Sequence, residues 1–83
     1  MIMIYLFDMG KKTDQHSKDF ARSLGALLKR ERENKGIKQI DVANKLGHNS
    51  SVMVCRYERG AMIPSAHTLF IIAQILDITI EIN

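Results

Sequence analysis

The sequence predicts a mainly α fold, four short helices with short terminal β-strands. Three observations carry this reading. Apolar residues recur at helical spacing from Phe20 to Leu76. Gly36, Gly47, Gly60 and Pro64 cut that pattern into four segments. The last residues, 77–83, switch to strict alternation, the period of a strand.

The elements follow in order. The first helix is expected over residues 17–35. Phe20, Leu24, Leu27 and Leu28 share its inner face, Asp14 or Ser17 caps its start, and Gly36 ends it. The second is expected over 39–46, with Val42, Ala43 and Leu46 inward and Gly47 as the stop. Alanine at 43 lets another helix approach closely. Asn49 or Ser50 caps the third, over 51–59, which buries Val54 and Tyr57 and ends at Gly60. Residues 60–64 are a loop, because Pro64 keeps Ile63 out of helical space. Ser65 caps the fourth helix, with Leu69, Ile72, Ala73 and Leu76 on one face. In the closing strand Ile78, Ile80 and Ile82 point one way, and Thr79, Glu81 and Asn83 the other. Residues 1–7 also have strand composition. The chain thus divides into an N-terminal arm with a strand (1–16), a helical domain (17–78) and a C-terminal strand (79–83).

Composition narrows the function classes. Eighty-three residues make one domain at most. The chain is 46% hydrophobic and 25% charged with one proline, which excludes a disordered tail or a collagen-like chain. A lone cysteine, Cys55, forms neither an internal disulfide nor a multi-cysteine metal site. His16, His48 and His67 are widely spaced and lack a metal-ligand pattern. No nucleophile, base and orienting acid gather, and no glycine-rich phosphate loop exists. The expectation is no enzyme, no metal and no cofactor. The apolar run 1–7 is far short of the about 20 residues that span a membrane. It lacks the basic lead and small-residue cleavage site of an export signal. A cytoplasmic protein is expected, and one reduced cysteine suits that compartment.

The net charge of +3 is unevenly spread. Residues 1–28 carry +1, residues 29–59 carry +4, and residues 60–83 carry −2. Such asymmetry suits one face toward an anion and another toward a protein, or simply a solvated helix of mixed charge.

The segment from Gln39 to Gly60 joins two short helices through a glycine turn, with polar residues opening the second. That is a helix-turn-helix arrangement. In such a unit the first helix crosses the duplex backbone and the second offers its first residues to base edges in the major groove. Here the sequence resembles the lambda-repressor/Cro-like (XRE) helix-turn-helix family, over roughly residues 20–78. The carriers are Leu-Leu-Lys-Arg-Glu-Arg-Glu-Asn-Lys-Gly-Ile-Lys-Gln (27–39), Val-Ala-Asn-Lys-Leu-Gly (42–47), Arg-Tyr-Glu-Arg-Gly (56–60) and Ile-Pro-Ser (63–65). The resemblance implies a four-helix lambda-repressor-like DNA-binding domain, and it implies roles residue by residue. Gln39 matches a glutamine that touches a phosphate. Arg32 and Glu58 match an internal ion pair between the first and third helices. Asn49, Ser50, Ser51, Val52 and Arg56 fall where the family reads bases. Arg56 is the strongest of these, since arginine grips guanine through two hydrogen bonds. Arg59 and Lys38 are placed for phosphate contact. Ser50 and Ser51 serve as caps, as base contacts, or as both; Lys38 and Arg59 equally suit ordinary surface charges.

Three departures stand out. The segment from Gly47 to Glu58 is longer by one residue than the commonest family spacing, which leaves the register at the start of the third helix open by about one residue. Lys38 stands where the family has a capping Ser or Thr, a loss of ~1 kcal/mol. The reading stretch holds Val52, Met53, Val54 and Cys55, so readout leans on thymine methyls.

The last third asks for a partner. Ile71, Ile75 and Ile78 form a second apolar stripe, and an unpaired terminal strand wants an edge to pair with. A homodimer through Ile71, Ile75, Ile78, Ile80 and Ile82 is expected. The strand would pair with its symmetry mate, or with residues 1–7 of the same or the other chain. The helix-then-strand ending also resembles antitoxins of the HipB and HigA type, which bind a toxin and repress their own operon. The reading is a dimeric, DNA-binding transcriptional regulator, a repressor at an inverted-repeat operator on double-stranded DNA. The alternatives are an antitoxin, or a protein-interaction module that kept the fold and lost DNA binding.

Overall fold

The computed structural model describes residues 2–6 and 14–82, with side chains for residues 17–79. Among these the order is β1 (Ile2–Leu6), α1 (Asp14–Asn34), α2 (Gln39–Lys45), α3 (Val52–Glu58), α4 (Ala66–Leu76) and β2 (Ile78–Ile82). The fold is mainly α, as the periodicity implied. Helix α1 starts at Asp14 rather than Ser17, because neither Gln15 nor His16 breaks a helix.

Helices α1, α2 and α3 end in the same way. The glycine after each takes a positive φ, +86° at Gly47 in the turn between α2 and α3. That lets His48 N–H reach the carbonyl of Ala43 at 2.9 Å and Gly47 N–H that of Asn44 at 3.0 Å. The paired bonds satisfy carbonyls the helix leaves orphaned, and a side chain at position 47 would strain the turn. Helix α4 opens as expected: the Ser65 hydroxyl accepts the Thr68 N–H at 3.1 Å. It closes on Asp77, whose φ of 55° is the left-handed conformation that aspartate tolerates.

One core holds the helices together. Leu24 and Leu28 of α1, Val42 and Ala43 of α2, Val54 and Tyr57 of α3, and Ile72, Ala73 and Leu76 of α4 form a single buried cluster. Phe20, Leu27, Leu46 and Leu69 pack half-buried around it. The closest approach is between α1 and α3. A Cβ at Gly25 would stand 2.3 Å from the Tyr57 carbonyl oxygen and 2.7 Å from that of Glu58. Glycine there lets α1 lie against the α3 backbone and sets how α3 is presented. The Lys35 ammonium donates to the Leu76 carbonyl, tying the end of α1 to the end of α4.

The terminal strands pair with each other within the chain. They run parallel, Ile2 opposite Ile78 through Leu6 opposite Ile82. Parallel strands need a long crossover, and the four-helix unit supplies it. Of the arrangements open to the terminal strand, pairing with the N-terminal run of the same chain is the one found. Ile78, expected in an exposed dimer stripe, is 6% exposed and completes the core. Ile75 is half-buried against that core, and Ile71 is half-buried. The side chains of Ile80 and Ile82 lie outside the described residues, as do Met1, Phe7 and Asn83. Among the described residues no helix is long and apolar enough to cross a membrane.

Candidate nucleic-acid interface

The site is built from its inner side outward. Arg32 projects from the last turn of α1 toward α3. Its Nε donates to Glu58 Oε2 at 2.6 Å and its Nη2 to Glu58 Oε1 at 3.0 Å. Its Nη1 donates to the Ile37 carbonyl at 2.8 Å. Both side chains are buried, so this is the fork-to-carboxylate geometry in which a charged hydrogen bond is strongest. The bond to Glu58 holds the Arg32 guanidinium above its ordinary pKa, against the opposing effect of burial. The expected pair between the first and third helices is therefore present in the fold.

Gln39, the first residue of α2, joins the same pair. Its Nε2 donates to Glu58 Oε1 at 2.9 Å. One carboxylate thus fixes α1, α2 and α3 relative to one another. This second role of Gln39 was hidden in the sequence, because nothing in the spacing shows that residues 39 and 58 meet. The amide oxygen of Gln39 is not used in that bond.

Lys38 is the N-cap of α2, with extended backbone (φ −85°, ψ 154°) and no side-chain cap bond. Half a capping box survives, since the Asp41 carboxylate accepts the Lys38 N–H at 3.4 Å. Lys38 is exposed.

Helix α3 begins at Val52 with Ser51 as its N-cap residue. The expected caps are redistributed. Ser51 makes no side-chain cap bond, and the Ser50 hydroxyl accepts the Val52 N–H at a long 3.5 Å. Asn49 and Ser50 are exposed and Ser51 is half-buried. Along α3 the buried residues are Val54, Tyr57 and Glu58. At about 100° per residue, Val52 and Arg56 stand within about 30° of the opposite direction. Val54 faces the core, as its three-residue spacing from Tyr57 implied, while Met53 and Cys55 lie half-buried on the flanks. Exposed Arg59, the C-cap residue, extends this basic edge. The structure thus brings Asn49, Ser50, Val52, Arg56, Arg59 and Lys38 to the surface around one short helix.

A short helix anchored from behind, following a glycine turn and a bracing helix, defines a DNA-binding helix-turn-helix protein. Residues 28–83 match the family model described as Helix-turn-helix. The match spans well over half the chain, and the chain belongs to that family, of the lambda-repressor-like type. It is a DNA-binding helix-turn-helix regulator. No curated protein matches the chain.

Proposed function

We propose that the protein is a cytoplasmic transcriptional repressor that binds an inverted-repeat operator as a homodimer. The observation that carries DNA reading is the outward pair on α3, Val52 and Arg56, opposite a face locked by Glu58. In this reading Asn49, Ser50, Ser51, Val52 and Arg56 meet base edges, while Lys38, Gln39 and Arg59 meet phosphates and set the register.

Dimerisation is supported by an apolar groove of about 320 Å³ lined by Ala66, Leu69, Phe70, Ala73, Gln74, Ile78 and Thr79. Phe70 is 62% exposed there, and α4 carries no Asp, Glu, Lys or Arg to oppose a second copy. Two copies would present two α3 helices about 34 Å apart, one DNA turn. The same groove favours a second reading, in which a toxin-like protein docks and regulates the repressor.

Selection of bound sequences from a random DNA pool tests the main reading. The expected result is a two-fold symmetric site whose affinity falls steeply with salt. No enrichment of any sequence overturns it. Sedimentation at micromolar concentration tests the dimer, and a clean monomer sinks that part. A monomer that still selects a half-site shifts weight to the toxin-like partner.

A further inference from the structure

Val52 is the first residue of α3 and is 51% exposed. A scattered surface valine needs no explanation, but this one has a particular place. It shares the outermost line of α3 with Arg56, one turn away, and no other residue of α3 stands so directly away from the buried face. The polar groups beside it precede the helix. The Ser50 hydroxyl already accepts the Val52 N–H, and Ser51 is half-buried. The most advanced surface of this helix is therefore one aliphatic group and one guanidinium.

The major groove offers each a counterpart. Guanine presents two acceptors to an arginine, and the C5 methyl of thymine is the one apolar group on any base edge. We propose that Val52 is a specificity-determining residue that reads thymine through its C5 methyl, beside a guanine gripped by Arg56. This rests on the DNA-binding reading above and adds the chemistry of the site.

Two consequences follow from geometry. Four residues of helix rise about 6 Å, and successive base pairs rise about 3.4 Å. The thymine and the guanine therefore lie close together in each half-site, about one or two steps apart. Cytosine at the thymine position is disfavoured twice. It lacks the methyl, and its amino group would be desolvated against a side chain that accepts nothing.

The experiment replaces thymine by uracil, which lacks only the methyl, at each thymine of the selected operator in turn. Binding is measured for the wild-type protein and for Val52→Ala. The expected result is one thymine per half-site at which uracil weakens wild-type binding about fourfold, the worth of one buried methyl. At that position the uracil penalty shrinks in Val52→Ala, whose shorter side chain reaches less of the methyl. Because Val52 is half exposed, its replacement should leave the melting temperature unchanged, which separates readout from folding. Tolerance of uracil at every thymine overturns the proposal while leaving DNA binding intact. A uracil effect undiminished in Val52→Ala overturns the assignment to Val52, and a selected site without thymine does the same. Failure to select any DNA sequence overturns this inference together with the reading it rests on.

Discussion

The two faces of α3 are built on opposite terms. Inward, Val54 and Tyr57 are buried in the core and Glu58 is held by Arg32 and Gln39 through three hydrogen bonds. Outward, Val52 and Arg56 are exposed, and among the described residues the Arg56 guanidinium has no protein partner. The inner face specifies where the helix sits, and the outer face is the one proposed to meet DNA. Seven residues suffice for both because the inner face is fixed by other helices. A helix this short is not stable alone. Its position comes from the ion pair and from the backbone contact at Gly25. Substitutions on the two faces should therefore separate cleanly into loss of fold and loss of recognition.

The largest effect belongs to the inner face. Glu58→Ala leaves a buried guanidinium without its carboxylate and Gln39 without its acceptor. The expected loss is about 3–5 kcal/mol in urea unfolding, with DNA binding falling as a consequence. That is a large share of the stability of a small domain, which totals about 5–15 kcal/mol. A loss below about 1 kcal/mol would mean that the pair is effectively solvated and that the two faces do not differ in kind. Titration does not mimic this change through the arginine. Its raised pKa means that its contribution is present at every pH below the ordinary guanidinium value, and disappears only as pH climbs through the still higher folded value.

Gly25→Ala attacks the same face from the opposite helix. The added Cβ meets backbone oxygens of Tyr57 and Glu58, which have no rotamer to move into. Forcing α1 and α3 apart should cost about 1–3 kcal/mol in thermal unfolding, although alanine is the better helix former. A neutral or stabilising result would show that the α1–α3 contact is looser than the geometry indicates.

Arg56→Ala acts on the outer face alone. Preference for the operator over random DNA should fall by about 1–3 kcal/mol in competition binding, with stability unchanged within about 0.5 kcal/mol. Arg59→Ala should weaken binding to all sequences alike. If Arg56→Ala binds its operator unchanged, the outward pair is not the reading edge.

These predictions also show what was readable in advance. The helices were legible because the apolar period, the glycine stops and the Ser65 cap are local signals, each acting within a turn of chain. The resemblance supplied the Arg32–Glu58 pair, which no local signal carries. What escaped was three-dimensional. Gly25 sits in a helix with no turn to explain it, and its reason is a backbone 32 residues away at Tyr57. Glu31 reads as one more solvated charge of a basic segment, yet it is 2% exposed. Ile78 continues the period of an exposed stripe, but it packs into the core of the helices, and no pattern in residues 77–83 names that place. At the recognition edge, the residue types were legible. Val54 as the inward valine and Val52 as the outward one were legible too, from the three-residue spacing of Val54 to Tyr57, whereas the bond from Gln39 to Glu58 was not.

Lys38 is where the two faces compete for a single residue, and its effect is the smallest. As N-cap of α2 it belongs to the fold, yet its side chain contributes no cap bond. Serine there would accept the Asp41 N–H and complete the capping box that Asp41 already half forms. Lys38→Ser should therefore raise stability by ~1 kcal/mol in urea unfolding. If the ammonium neutralises a phosphate, the same change should weaken binding to every sequence. It should also reduce the slope of log affinity against log salt by about 0.9. Gained stability with an unchanged slope would class Lys38 as a plain surface charge and move the recognition edge wholly onto α3. Gained stability with a shallower slope would show a position at which the better fold makes the poorer DNA binder, the sharpest form of the contrast between the two faces.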